Sequence, residues 1–364
     1  MTWIKKILIV VILLFNCGCS DLKDLYNLTF PASMAVDYVE GEYVVTFQII
    51  NPNSLSKPEV ESSFNKGEIL ITSSNAHSIG EAIQKLENKM RMEIKVEHID
   101  TLFISPTMLE ISHMKEVLNY FLHDQNLRLA ASIFINDTDI NEIFQVKHNI
   151  SSSPYFSLIA YNSIDKLNVL EIPTSVLEII KSFEADAKIN IIPNLSVDKE
   201  STLINEGESQ DAKRFEIKNL TILNHQTAST FKIEDIGGLM YINEKSNNDV
   251  NETIPYKDNG INYTILHSST HTAFKNNRFQ IILDTSLALE SCPPELSEQQ
   301  NIELINEAIK NEIYNTYKLL LENDIDYLNL HDLSHQEVKI DDIDIIINSQ
   351  VELKNNYINH GGIE

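Results

Sequence analysis

The pair with the plainest chemistry in this sequence is Gly18-Cys19. A thiol behind a small residue, at the end of a short apolar run, is the acceptor for a diacylglycerol group and marks signal cleavage before the modified cysteine. Lys5 and Lys6 supply a charged n-region and Ile7 to Phe15 a compact apolar h-region. That run is too short to span a bilayer, which takes roughly 20 apolar residues, and it suits a removable signal. Asn16 stands where Leu or Val is usual in a lipoprotein signal, and its bulk in front of Cys17 argues against Cys17 as the acceptor. The alternatives to lipidation at Cys19 are a plain secretory signal or an uncleaved anchor.

Other residues of reactive type are weaker candidates. His331 and His335 are four apart beside Asp332, a spacing that on a helix could hold zinc. A zinc site needs a third protein ligand and an oriented second shell, and no residue nominates itself. His267 and His271 sit at a strand end, where a four-residue step does not join side chains. Asp341, Asp342 and Asp344 read as an exposed acidic turn rather than a calcium loop, and Asp324 and Asp326 as a solvated face. His98, ahead of a strand, reads as a core histidine. Arg128 follows an aromatic helix end and is either an ion-pair partner or a contact point for another protein. There is no P-loop, GxGxxG, GxSxG, HExxH or CxxC. The residues therefore nominate no catalytic group, no metal site and no cofactor.

The 364 residues allow two or three domains, and 43% are hydrophobic, enough for sizeable cores. Net charge is −25, from 53 acids and 28 bases. Loss of the signal removes two lysines and no acid, so the mature chain is more acidic still. Nucleic acid and anionic headgroups call for basic patches, so nucleic acid is not an expected partner and the membrane must be held through lipid. Once Cys17 leaves and Cys19 is lipidated, only Cys292 remains. No internal disulfide is then available, and packed cores must carry the stability.

The elements that would position these residues follow from periodicity. Ser33 to Val39 and Tyr43 to Ile50 read as strands around a turn at Glu40-Gly41-Glu42. Ser78 caps a helix, with Glu81 placed to complete a capping box; Ile79, Ala82, Ile83, Leu86 and Met90 share its inner face. Thr101 to Ile104 is a buried strand, Pro106 to about Leu122 a helix and Ala130 to Ile135 a strand. Helices over Pro154 to Tyr161 and Pro173 to Glu184 precede a short strand from Ala187 to Ile192, ended by Pro193. Ser196 to Asp211 is polar and acidic, and reads as a linker. Beyond it, Lys213 to Leu223, Ile236 to Ile242, Asn262 to His267 and Phe279 to Leu289 read as strands, with an Asn-rich turn over Lys245 to Glu252. Glu298 to Glu322 is the longest helix, its stripe marked by Ile302, Ile305, Ile309, Ile313, Tyr317 and Leu320. Ile343 to Ile347 is a last strand. The fold class is α+β, with mixed sheets flanked by helices. The expected organisation is a signal at 1–18, an N-terminal α/β region at 19–195 of one or two subdomains, a linker at 196–211 and a C-terminal α+β domain at 212–364.

The order of short motifs resembles the Ger(x)C family, the lipoprotein C subunits of bacterial spore germinant receptors. Gly18-Cys19-Ser20-Asp21 stands where the family reads Gly-Cys-Trp-Asp, and Asp24-Leu25 where Glu-Ile or Glu-Leu is usual. Asp37, Gly41, Val45-Thr46 and Gln48-Ile49-Ile50-Asn51-Pro52 follow its first hairpin. Ser78-Ile79 with Glu81-Ala82 matches its first capped helix, and His98 stands before the next strand. Phe121-Leu122-His123-Asp124 with Arg128 echoes a Phe-Leu-x-Arg-Asp segment, and Gly238-Leu239-Met240-Tyr241 a Gly-x-Ala-Val-Phe strand. Departures are Ser20 for Trp, His123 for Arg, and the missing Gly and Trp around Asp326 to Val338.

The resemblance implies a three-part α+β body held by lipid on the outer face of the spore inner membrane, without catalysis, beside A- and B-type membrane subunits. It leaves open whether this subunit meets a small-molecule germinant. The expected function is a scaffold or coupling subunit of a germinant receptor. Its rivals are an exported lipoprotein that captures a solute for a transporter, which needs a deep cleft with convergent polar groups, and a cell-wall enzyme, which needs paired carboxylates or a nucleophile.

Overall fold

The computed structural model describes residues 3, 28–50, 69–123, 128–146, 174–185, 189–198, 202–205, 208–211, 214–224, 226–242, 250–256 and 259–352. Apart from Trp3, the signal lies outside these residues, as do Cys19, the segment 21–25, the helix expected over 154–161 and most of the turn expected over 245–252; from Val250 onward that turn is strand.

The first half builds around β2 (Pro31–Val39), β3 (Glu42–Ile50), β4 (Ile69–Ala76), β6 (Thr101–Ile104), β7 (Ser132–Asn136) and β9 (Asn190–Asp198). Short pieces flank them: β1 (Leu28–Thr29) pairs with β5 (Glu93–Ile94), and β8 (Thr174–Ser175) with β7. With β12 (Arg214–Leu223) and β13 (Ala228–Lys232) they form a nine-stranded sheet in the order β13-β12-β9-β7-β6-β2-β3-β4, with β8 off that path. β2, β6, β7 and β9 are parallel and the flanking pairs antiparallel. Between β2 and β3, Glu40 and Gly41 both take positive φ, 53° and 88°, as a tight two-residue hairpin requires.

Central parallel strands are buried on both faces. On β6, Leu102 and Ile104 enter one core and Phe103 the other. The first core is closed by α1 (Ile79–Met90), α2 (Ile111–His123) and α4 (Val176–Ala185); α3 (Ile140–Ile143) closes the second. Ser78 caps α1, accepting from the Glu81 amide at 3.2 Å. The Glu81 carboxylate pairs with Lys85 one turn on, at 3.3 Å. The complete capping box lies elsewhere, at Ser297 and Gln300.

The second half is a four-stranded sheet in the order β14-β15-β16-β17, from β14 (Val250–Tyr256), β15 (Asn259–Lys275), β16 (Arg278–Ser291) and β17 (Ile343–Val351). α6 (Glu298–Leu321) covers it through Ile305, Ile309, Ile313, Tyr317 and Leu320. The architecture is α+β with mixed sheets, and the long helix and last strand stand where the periodicity places them.

Three expectations are corrected. Ile236 to Ile242 is not a strand: a 3-10 turn at Ile233–Asp235 leads to the one-turn helix α5 (Leu239–Ile242), where all four side chains are buried. Pro193 does not end its strand, because β9 runs on to Asp198, paired with β12 on one side and β7 on the other. Ser196 to Asp211 is not a structureless linker. It finishes β9 and then forms a hairpin of β10 (Thr202–Asn205) and β11 (Glu208–Asp211). Backbone pairing, not apolar content, holds this stretch, and the large sheet continues through it into β12 and β13.

Candidate functional site

β1 lies beside the N-terminal ends of the parallel strands, and the sequence-nominated Arg128 lies at this same end. Asp100 ties the strands together there: its amide donates to the Ala32 carbonyl at 3.0 Å, and its carbonyl accepts from the Ser132 amide at 2.9 Å. Its carboxylate takes the Arg128 guanidinium. Arg128 is thus an ion-pair partner, but its side chain stays 53% exposed and can meet another surface. A half-exposed pair contributes little stability.

Between α1 and β5 lies an open trough of about 380 Å³, lined in part by Ile83, Gln84, Glu87, Lys95 and Tyr120. Glu87 accepts the Ile94 amide at 3.0 Å. Lys95 reaches Glu93 at 2.7 Å, and that hydrogen bond holds its ammonium above the usual lysine range. The trough offers charge and a partly apolar floor.

At the opposite end of the sheet is a constellation that sequence reading missed. One oxygen of Asp37 accepts from Ser105 Oγ and Thr107 Oγ1, each at 2.5 Å, and from the Tyr38 amide at 2.7 Å. His113 lies tilted against Tyr38 with ring centroids 3.9 Å apart, and Tyr43 meets both rings edge-on. Serine, histidine and aspartate are the residue types of a hydrolytic triad, but the wiring differs. A nucleophilic serine needs its hydroxyl at the base; here it bonds to the carboxylate, while His113 Nδ1 faces the Thr107 carbonyl at 3.3 Å. The cluster braces the end of β2 against the turn after β6. Burial, then Glu116, Tyr38 and Glu110, push the Tyr43 hydroxyl pKa up.

In the second half the notable contact is backbone on backbone. Gly238 lies so close to α6 that a Cβ there would stand 2.6 Å from the Glu312 carbonyl oxygen and 2.8 Å from Ile313 Cα. Its amide donates to Thr316 Oγ1 at 3.0 Å. Tyr241 donates to the Glu312 carboxylate at 3.1 Å, and burial raises that carboxyl's pKa, partly offset by this bond. Further along, Tyr317 donates to Asp326 at 2.5 Å and also accepts the Leu328 amide at 3.2 Å. Burial foremost, then Asp326, drives the Tyr317 hydroxyl pKa well up.

The remaining nominated residues have structural placements. Asp326 is no solvated face, since it also accepts the His331 amide at 2.8 Å. His331 and His335 stand with ring centroids 6.0 Å apart on α7 (His331–Ser334) and its C-cap; among the described residues no group of three or more His, Cys, Asp or Glu is arranged to hold a metal. Asp344 belongs to no acidic turn: Arg278 grips it through Nε and Nη2, both at 2.8 Å. His98 is not a core residue. It is exposed, with Phe30 edge-on at 5.2 Å. His271 faces Asp284 at 3.8 Å across the β15–β16 ladder.

This geometry can be set beside known proteins. Residues 21–197 match the family described as Spore germination protein N-terminal domain. Spore germination protein B3 of Bacillus subtilis (strain 168) is 26% identical over 133 residues, 36% of this chain and 34% of that protein, so the match spans about a third of the relative's length. The crystal structure of the GerBC protein superposes with a TM-score of 0.50 at 14% identity, covering 89% of this chain and 97% of that one. At that identity the likeness shows the fold. The family match over residues 21–197 and the curated relative support a Ger(x)C spore germination protein, and the shared fold agrees with them.

Proposed function

We propose that this protein is a non-enzymatic, lipid-anchored subunit of a nutrient germinant receptor, acting as a scaffold or coupler between the A- and B-type membrane subunits on the outer face of the spore inner membrane. The observation that carries the reading is the family match over residues 21–197. Among the described residues no helix is long and apolar enough to cross a membrane, and membrane attachment is assigned to a diacylglycerol on Cys19. Two acyl chains give a stable hold where one does not. Confinement near the bilayer raises the effective concentration of the body next to its partners, so modest contacts, such as one at Arg128, suffice for assembly. The open trough and the braced Asp37 cluster both fit a protein that works by contact.

Spores lacking the protein test this. Loss or slowing of germination to one set of nutrients is the expected result. A normal response to every nutrient, in spores that also lack related receptors, would overturn it. Mass spectrometry of the mature N-terminus tests the anchor: an unmodified Cys19 refutes it. A solute-binding lipoprotein serving a transporter, the rival, would instead show saturable binding of a small solute to the isolated protein and no germination defect.

A further inference from the structure

The anchor does not leave the orientation of the body free. β2, β6 and β7 are parallel, so Pro31, Thr101 and Ser132 open their strands at one end of the sheet. α1 and α2 leave the far ends of β4 and β6 and run back toward that end. β1 and β5 lie there too, joined where the Lys95 amide donates to the Thr29 carbonyl at 2.9 Å. Leu28 is nine residue steps from Cys19, and at full extension these reach only about 30 Å.

Exposed apolar side chains gather at the same end. Phe30, 38% exposed, directly precedes β2, and Leu122, 47% exposed, sits in the last turn of α2. Leu70, 49% exposed, lies opposite Ile49, which lies opposite Pro31, so it stands level with the start of β2. In the large sheet and its helices, the other large apolar side chain this exposed among the described residues is Val39, at the opposite end.

Charge follows the same division. The whole chain carries 53 acids against 28 bases. Residues 87–100 together with Arg128 carry four of each: Glu87, Glu93, Glu97 and Asp100 against Lys89, Arg91, Lys95 and Arg128. Two of these acids are paired in place, Asp100 with Arg128 and Glu93 with Lys95. An anionic bilayer repels a body of this net charge, but it meets a locally balanced surface here.

The geometry points to this end of the sheet as the surface that rests on the bilayer, with Phe30, Leu70 and Leu122 entering the headgroup layer. The inference builds on the anchor at Cys19, and it fixes which face the protein turns to lipid and which it leaves for partners. Apolar side chains at that depth add hold to a tethered protein. The constellation around Asp37 then points away from the membrane.

The single tryptophan of the chain, Trp3, lies within the signal, so the mature protein can carry one reporter at a time. Phe30→Trp, Leu122→Trp and, as the far-end control, Val39→Trp are made in the full mature chain with Cys292→Ser. Cys19 is coupled to a maleimide lipid in phosphatidylcholine–phosphatidylglycerol vesicles, so attachment does not depend on cellular lipidation. With brominated acyl chains, emission from the first two variants should fall at least twofold and shift to the blue, while Val39→Trp stays unchanged. Quenching at Phe30→Trp and Leu122→Trp no greater than at Val39→Trp overturns the inference. Far-ultraviolet circular dichroism confirms that each variant is folded. An unmodified native Cys19 with this quenching pattern intact would refute the anchor and leave the facing in place.

Discussion

The parallel half of the large sheet and the C-terminal half reach a closed core by different means. In the first, short helices lie over β2, β6 and β7, and burial is spread across many side chains. Phe103, for example, is sealed between Phe134 and Phe144, with ring centroids 5.8 and 5.6 Å away. In the second, one 24-residue helix is seated on a turn by direct backbone contact at Gly238. The first arrangement is a matter of volume and pattern, the second of a single clearance. The two should therefore respond differently to the same kind of change.

The largest expected effect is in the distributed core. Phe103→Ala removes a fully buried ring and should cost about 3–5 kcal/mol in urea unfolding. A loss below about 1 kcal/mol would mean that the core collapses around the gap. Next, alanine at two glycines should have opposite signs. Gly238→Ala drives a methyl into the backbone of α6 and should cost about 2–3 kcal/mol. Gly80→Ala, in the first turn of α1, meets only the Tyr120 ring at 3.6 Å, an ordinary contact. It should stabilise by about 0.5–1 kcal/mol, since alanine loses less backbone freedom in a helix. Equal signs would erase the contrast.

Glu312 sharpens the comparison through pH. Burial raises its folded pKa above the usual glutamate value. The stability linked to that shift is present below the unfolded pKa of about 4.3 and is lost as pH rises through the folded value. Glu312→Gln keeps an acceptor for Tyr241 without a charge to bury. Its melting temperature should gain on wild type between pH 4 and pH 7, and a flat difference would assign the burial cost elsewhere. The smallest effect is expected at Arg128. Arg128→Ala breaks a half-exposed pair and should cost about 0.5 kcal/mol. A clear loss of receptor assembly at unchanged stability would mark Arg128 as a partner contact, whereas a marked fall in melting temperature alone would make it structural.

What the sequence disclosed divides along the same line. Ser78, the inner face of α1 and the stripe of α6 are local patterns, and they appear where the periodicity puts them. Ile236 to Ile242 misleads because its β-rich apolar run carries no mark of Thr316, 78 residues away, whose hydroxyl receives the Gly238 amide. Ser196 to Asp211 misleads for a related reason: polar residues form strands when the backbone ladder, not side-chain burial, supplies the partners. The Asp37 brace joins residues 68 and 70 apart, and Arg128 finds Asp100 28 residues back.

β9 and β12 also bear on how the chain comes to exist. Ile192 belongs to the core under α1 and α2, Ile191 to the core under α6, and Leu195 to the core under α3. A chain emerging N-terminus first therefore delivers β7 with its outer edge covered only at Ser132 and Ile133, by β8, and must hold the rest of that edge until residue 194 arrives to pair with Ile135. The strand that completes one half thus also lends Ile191 to the core of the next. A protein built in this way has a direction to its folding, and a chain cut off before β9 would keep the Ile135–Asn136 end of that parallel edge unpaired.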